Sequence, residues 1–278
     1  MKRYTREQFL CYLNEKIADN DPILMSGVGN GLSAKFMEKG GIDIIGVYNS
    51  CKYRINGYGS LAGMLPLGNA NELVYDMGTR DILPQVKKVP VIAGVNLNDC
   101  TMDMRLYLES LVEAGFCGIH NFPTVAWFDG VFRETLEATG LGFGVEIENF
   151  KIAKEAGLVT FGYAFNKEDT KDMMSKAQVD VFVFHAGITK GGTTGVTEVE
   201  SIEETARRSQ ECYDIAREAK KDVILLAHGA ALADPEDARF MMQHTDASGI
   251  QLGSAIERLA IEVPLYERTK AFKEEMRV

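Results

Sequence analysis

The chain is short of the features that mark secreted, membrane-embedded or nucleic-acid-binding proteins. Its five cysteines (Cys11, Cys51, Cys100, Cys117, Cys212) are odd in number, far apart and form no CxxC pair, which argues against a disulfide framework or a structural zinc site. No apolar run approaches the roughly 20 residues that span a bilayer. The opening MKRYTREQFLCYLNEK is too charged for a signal peptide, so a cytoplasmic protein with no membrane partner is expected. Positive charge is also scarce. Thirty Lys and Arg against 40 Asp and Glu give a formal net charge of -10, so a phosphate backbone would be repelled and nucleic acid is not expected as a partner. What is plentiful is glycine, 27 residues among 278, in a chain that is 46% apolar and 25% charged. That is the composition of a globular protein, long enough for two average domains or one α/β barrel.

Residues 1–20 read as an N-terminal helical extension: Thr5 and Gln8 have capping-box spacing, and Phe9, Leu13 and Ile17 recur at helical spacing. Beyond it, short apolar runs ending in Gly, Asn or His alternate with amphipathic stretches, the pattern of βα units on a parallel sheet. Nine runs qualify as strands: 23–29, 42–48, 89–96, 117–123, 142–147, 158–165, 179–187, 223–229 and 249–254. The run GFGVEI at 142–147 is the weakest, because Val145, Phe150, Ala153 and Ala156 continue it as a helical face ending at Gly157. Assigning it to a helix leaves eight strands, each followed by helical sequence, the last at 264–275. A single (β/α)8 barrel spanning 1–278 is the expected architecture, with a doubly wound open sheet as the alternative. Two long connections, 49–71 and 188–200, would leave the C-terminal ends of the second and sixth strands, the face where barrels place active sites.

Four histidines carry the first chemical signal. His185 and His228 end apolar strands, which predicts two imidazoles at one barrel mouth, where each would work as acid or base near neutral pH. His120 is expected to point into the barrel wall with Asn121 facing the other way, and His244 to be a surface residue. Glycines follow strands six to eight in GITKGGTTG (187–195), HGA (228–230) and GSAIER (253–258). Gly191, Gly192, Gly229, Gly253 and Ser254 are thus candidates for holding a phosphoryl or second anionic group through backbone N–H donors, although many glycines only shape turns. In the loop after strand two, Arg54 among Asn49, Ser50 and Ser60 suits a carboxylate, or else a structural ion pair. Lys190 and Arg258 are as well explained by surface roles. Cys51 and Cys100 have no base partner in the sequence and read as incidental thiols. Glu146 fits a general base and a helix-start acid equally well, and GNGLSAK lacks the Walker spacing.

The segments GVGNGLSAK, GVYNSCKYRINGYGSLAGMLPLGNAN, VPVIAGVN, GIHNFPTVAWFDGVFRETLEATGLGF, TFGYAF, FHAGITKGG, AHGAALADPEDARFM and GSAIERL occur in that order. Together they resemble the phosphoenolpyruvate hydrolase-like TIM-barrel family, whose relatives include the C-terminal domain of a plant virus-resistance protein. The resemblance covers about residues 5–274 and implies a (β/α)8 barrel. It also implies an enzyme, a hydrolase or lyase, that takes a small anionic substrate such as a phosphorylated 2-oxo or enol acid, phosphoenolpyruvate being the type case. In that reading His185 and His228 exchange protons with the reacting centre, Glu146 or Tyr163 assists, and Asn121 joins the substrate site. The chain departs from the family pattern in AHGAAL for an HGGP-type turn, GSAIER for an SSMER-type turn, and Cys51 for a glycine. The cofactor stays unassigned. A divalent metal remains open, but the chain reads GVNLND after strand three, without the Asp-rich magnesium motif of phosphoenolpyruvate mutases and isocitrate lyases. The alternatives are a carbon–carbon lyase or aldolase on a small oxo acid and a non-catalytic ligand-sensing or partner-binding barrel. The aromatic stretch 126–132 leads us to expect a homo-oligomer.

Overall fold

In a computed structural model, described for residues 3–277, the eight expected runs form the strands β1 (Ile23–Gly27), β2 (Ile44–Val47), β3 (Val91–Val95), β4 (Gly118–Asn121), β5 (Val159–Ala164), β6 (Val181–His185), β7 (Ile224–His228) and β8 (Gly249–Leu252). They pair in parallel in chain order, and β8 closes on β1 with Met25 opposite Gln251, so the sheet is a barrel and the open-sheet alternative falls. GFGVEI belongs to the helix Phe143–Glu155. That helix buries Phe143, Ile147, Phe150 and Ala153 at spacings of four and three, a helical stripe against the barrel.

Strand alternation splits the core in two. One set, including Met25, Ile44, Ile92, Phe161, Val183 and Leu226, fills the barrel interior. The intervening residues, such as Ile45, Ile119, Phe182 and Leu225, face the helices. The helix Arg6–Ala18, opened by the expected Thr5/Gln8 capping box, packs on the interior set: Phe9 and Leu13 are fully buried, and the Phe9 ring lies 6.0 Å from that of Phe161. Phe9→Ala would open a cavity costing about 3–5 kcal/mol.

Two segments differ from expectation. The connection 49–71 begins as a helix, Asn49–Ile55, because Ser50 and Arg54 are one turn apart and share a buried face with Cys51. The final helix, Leu259–Glu275, starts five residues earlier than 264 and carries Pro264 inside it. Proline suggests a first helical position, but the short helix Ser254–Glu257 leads almost directly into this one.

Candidate active site

β6 and β7 run in register so that His185 lies opposite His228. Both follow two inward-facing apolar residues, Val181 and Val183 on one strand and Ile224 and Leu226 on the other, and alternation therefore turns both imidazoles inward at the C-terminal mouth. Their rings meet edge to face, 4.4 Å between centroids. The backbone N–H of Gly187 donates to Nδ1 of His185 at 3.2 Å, so the proton of that ring is assigned to Nε2. Nδ1 of His228 lies 2.7 Å from the carbonyl oxygen of Gln251. A carbonyl only accepts, so His228 is assigned its proton on Nδ1 and a bare Nε2. Burial pushes the pKa of His228 down to about 4, and burial with the neighbouring His228 and His120 takes His185 well below the usual histidine range. At neutral pH the pair is uncharged, one ring offering an N–H and the other a lone pair. Trp127 and Phe165 each lie 4.7 Å from the His185 ring.

Opposite stands Arg54, buried on the helix Asn49–Ile55. Its Nε donates to Glu257 at 2.8 Å, Nη1 to the hydroxyls of Ser50 (3.1 Å) and Ser60 (3.4 Å), and Nη2 lies 2.9 Å from the sulfur of Cys51. The Ser254 hydroxyl is 3.4 Å from that of Ser60. The guanidinium thus organises hydroxyls around an anion-sized space. Burial pushes Cys51 up to about 12, so this thiol stays protonated and is no nucleophile. Beneath, Gln251 donates to the hydroxyls of Tyr48 and Tyr163, and its side-chain oxygen is 3.3 Å from Nε2 of His120. Gly46 makes room for Tyr48: a Cβ there would stand 2.6 Å from its hydroxyl.

These groups enclose a cavity of about 50 Å³. Of the expected site residues, Ser50, Arg54, Ser60, Tyr163, His185, His228, Gly253 and Ser254 line it. The others lie elsewhere. Asn49 donates to the carbonyl of Gly63. Asn121 faces outward from β4, as alternation requires once His120 faces in, and donates to Glu146 at 2.8 Å. His120 itself points into the barrel interior, with its ring 3.6 Å from that of Tyr163. Glu146 also accepts from the Thr124 hydroxyl and the Val125 N–H, both at 2.8 Å. Its pKa is pushed up to about 7 by burial, and it acts as a staple outside the barrel that fixes the loop after β4. Gly191 and Gly192 adopt φ of 87° and 68° and shape a turn against Arg258, which donates to the Gly191 carbonyl at 2.9 Å. Gly229, with φ 91°, packs its backbone on Gly187. Of the expected phosphoryl loops, Gly253 and Ser254 line the cavity, as do Gly187, Ile188 and Thr189 at the start of the loop after β6, whereas Gly191, Gly192 and Gly229 do not. Within the stretch 126–132, Trp127 is a cavity wall while Val131 and Phe132 are exposed.

Four functional positions escaped sequence reasoning. Tyr48 directly follows β2 and Gln251 lies on β8, both turned inward, and a polar residue between Ile250 and Leu252 was a usable signal. Trp127 was visible only as part of an aromatic cluster. Glu257 lies 203 positions from its partner Arg54, a pairing without a local signal. Among the described residues no group of three or more His, Cys, Asp or Glu is placed to hold a metal ion, and the cavity walls offer hydroxyls, imidazoles and an arginine. This donor set, without a carboxylate, does not suit Mg²⁺ or Ca²⁺, which take carboxylate and carbonyl oxygens.

A model of the phosphoenolpyruvate hydrolase-like family matches residues 8–274. The ToMV resistance protein Tm-1(GCR237) of Solanum lycopersicum is 39% identical over 269 residues, 96% of this chain and 35% of that protein. The chain spans about a third of the length of such curated relatives. Among solved structures, an oxaloacetate acetylhydrolase aligns over 99% of this chain and 88% of its own, with a TM-score of 0.62 and 16% identity. A phosphonopyruvate hydrolase in complex with oxalate and Mg++ aligns over 98% and 88%, with a TM-score of 0.58 and 14% identity. At such identities the likeness is one of fold.

Proposed function

The chain belongs to the phosphoenolpyruvate hydrolase-like family, and from that premise we propose that it is a hydrolase or lyase acting on a small anionic 2-oxo or enol acid at the C-terminal mouth of the barrel. Arg54, with the hydroxyls of Ser50, Ser60 and Ser254, holds the carboxylate. The bare Nε2 of His228 takes a proton from the reacting centre, and Nε2–H of His185 donates to the oxygen on which negative charge develops. The Tyr163 hydroxyl, held by Gln251, is a second donor. The observation that carries this reading is the pair of imidazoles on adjacent strands, one bonded to a backbone N–H and the other to a backbone carbonyl, facing an arginine across one small cavity. Steady-state assays with 2-oxo acids and phosphoenolpyruvate test it: turnover that collapses in His185→Ala and His228→Ala is expected, and unchanged turnover in both removes the assigned roles.

A second reading, a barrel that senses a small acid without consuming it, draws support from the tomato relative, which is named for virus resistance. It predicts thermal stabilisation by the acid with no loss of acid over time. A Schiff-base aldolase has less support, because no lysine lines the cavity among the described residues and Lys190 pairs with Asp237 at 3.4 Å. A cytoplasmic setting fits five unpaired cysteines. Self-association fits the exposed Val263, Leu265, Tyr266 and Phe272 of the last helix, and light scattering over a concentration series checks it.

A further inference from the structure

We propose that Glu257 is a specificity-determining residue that cancels the charge of Arg54 and so reserves the cavity for an unphosphorylated monocarboxylate, bound without a divalent cation. This inference rests on the reading of the barrel mouth as an acid-binding site.

Charge balance carries the argument. Among the described residues that line the cavity, Arg54 is the one permanent cation, and none is a carboxylate. Glu257 stands behind it, fully buried in the short helix after β8, and takes the Nε edge of the guanidinium at 2.8 Å. Nη1 is taken by Ser50 and Ser60 and one N–H of Nη2 by Cys51, so the guanidinium meets the ligand through those serine hydroxyls and the remaining Nη2 N–H, while Glu257 balances its charge. Other cations nearby are already engaged. Arg258 bonds Glu262 at 3.0 Å and the Gly191 carbonyl, and Lys190 pairs with Asp237. His185 and His228 are held neutral by burial. One incoming carboxylate then meets directed donors and a balanced field. A phosphorylated acid would bring further negative charges into a low-dielectric site with no cation to meet them.

Among the described residues no group of three or more His, Cys, Asp or Glu is placed to hold a metal ion, so the donors on Arg54 and the serines replace a bridging cation as the means of fixing the carboxylate.

Isothermal titration of the full chain with pyruvate and with phosphoenolpyruvate, in EDTA and in Mg²⁺, tests the proposal. The wild type is expected to bind pyruvate in EDTA, to bind phosphoenolpyruvate about tenfold more weakly or worse, and to be indifferent to Mg²⁺. Glu257→Gln keeps the size of the side chain and an acceptor for Arg54 but removes the charge, and should shift the affinity ratio toward phosphoenolpyruvate by about tenfold or more. Tighter wild-type binding of phosphoenolpyruvate, a requirement for Mg²⁺, binding of neither acid, or an unchanged ratio in folded Glu257→Gln overturns it. Where that variant fails to fold, the wild-type ratio and its Mg²⁺ dependence decide. Binding with the expected ratio shift but no turnover of either acid would remove the enzymatic reading and leave this inference in place; turnover with an unshifted ratio would do the reverse.

Discussion

His185 and His228 face each other across two neighbouring strands in direct register, edge to face at 4.4 Å between centroids, and their backbone partners assign their protons to opposite ring nitrogens. The asymmetry comes from the backbone: an N–H from the turn after β6 meets one ring, and a carbonyl from β8 meets the other. Two identical side chains thereby become a donor and an acceptor without either being charged.

If neutral His228 is the base, the acid limb of the kcat/KM profile should fall near pH 4, where burial places its pKa, and not near the ordinary histidine value of 6.5. A pH–rate profile between pH 3.5 and 8 checks this, and an acid limb near 6.5 would show that an unburied group controls the rate.

Folding stability should depend on pH in two opposing ways. His228 has its folded pKa depressed from 6.5 to about 4, so the unfolded chain takes the proton first and stability is lost as pH falls through that window, by on the order of 3 kcal/mol. Glu146 has its folded pKa raised from 4.5 to about 7. The folded state takes that proton first, and the contribution present below 4.5 is lost as pH rises through 7. Urea unfolding across pH 4–7 should show His228→Gln losing less stability on acidification than the wild type, and Glu146→Gln losing less on moving from 4.5 to 7.

Arg54→Met should destabilise the fold by about 3–5 kcal/mol, because it leaves the fully buried Glu257 carboxylate without its partner. Arg54→Met combined with Glu257→Met should recover most of that loss while acid binding stays absent. Denaturant titration and calorimetry on both variants separate the two effects. A double variant no more stable than the single one would mean that the pair matters for more than charge.

Glu146→Gln should spare catalysis, since its carboxylate holds Asn121, Thr124 and Val125 outside the barrel. The variant should lose about 1–3 kcal/mol because the amide NH2 replaces one oxygen that accepts from Asn121, Thr124 or Val125, with KM and kcat close to wild type. A collapse of kcat at unchanged stability would return Glu146 to the reaction.

Much of the barrel was legible because VFVFH and ILLAH are strands whose period of two and terminal histidines are visible in one dimension. Arg54 was legible as an arginine among Asn49, Ser50 and Ser60 in the connection after strand two, although that connection reads as a loop in the sequence and begins as a helix in the fold. The same period of two sets Asn121 on the face opposite His120 and, followed along β8, would have turned Gln251 inward. Gly191 and Gly192 were read as anion donors from their composition, but their positive φ angles serve a turn whose carbonyl is taken by Arg258. Glu257 was hidden for a different reason: closure of the barrel, not local sequence, brings β8 beside β1 and the segment after it against Arg54.

The central claim, that the two histidines move a proton to and from an acid held by Arg54, is tested most directly by proton NMR of pyruvate in D2O. Wild-type protein should accelerate exchange of the methyl protons for deuterium, His228→Gln should slow that exchange by about a hundredfold or more, and pyruvate binding should be retained in the variant. Exchange no faster than in buffer, or equal in wild type and His228→Gln, would contradict the account.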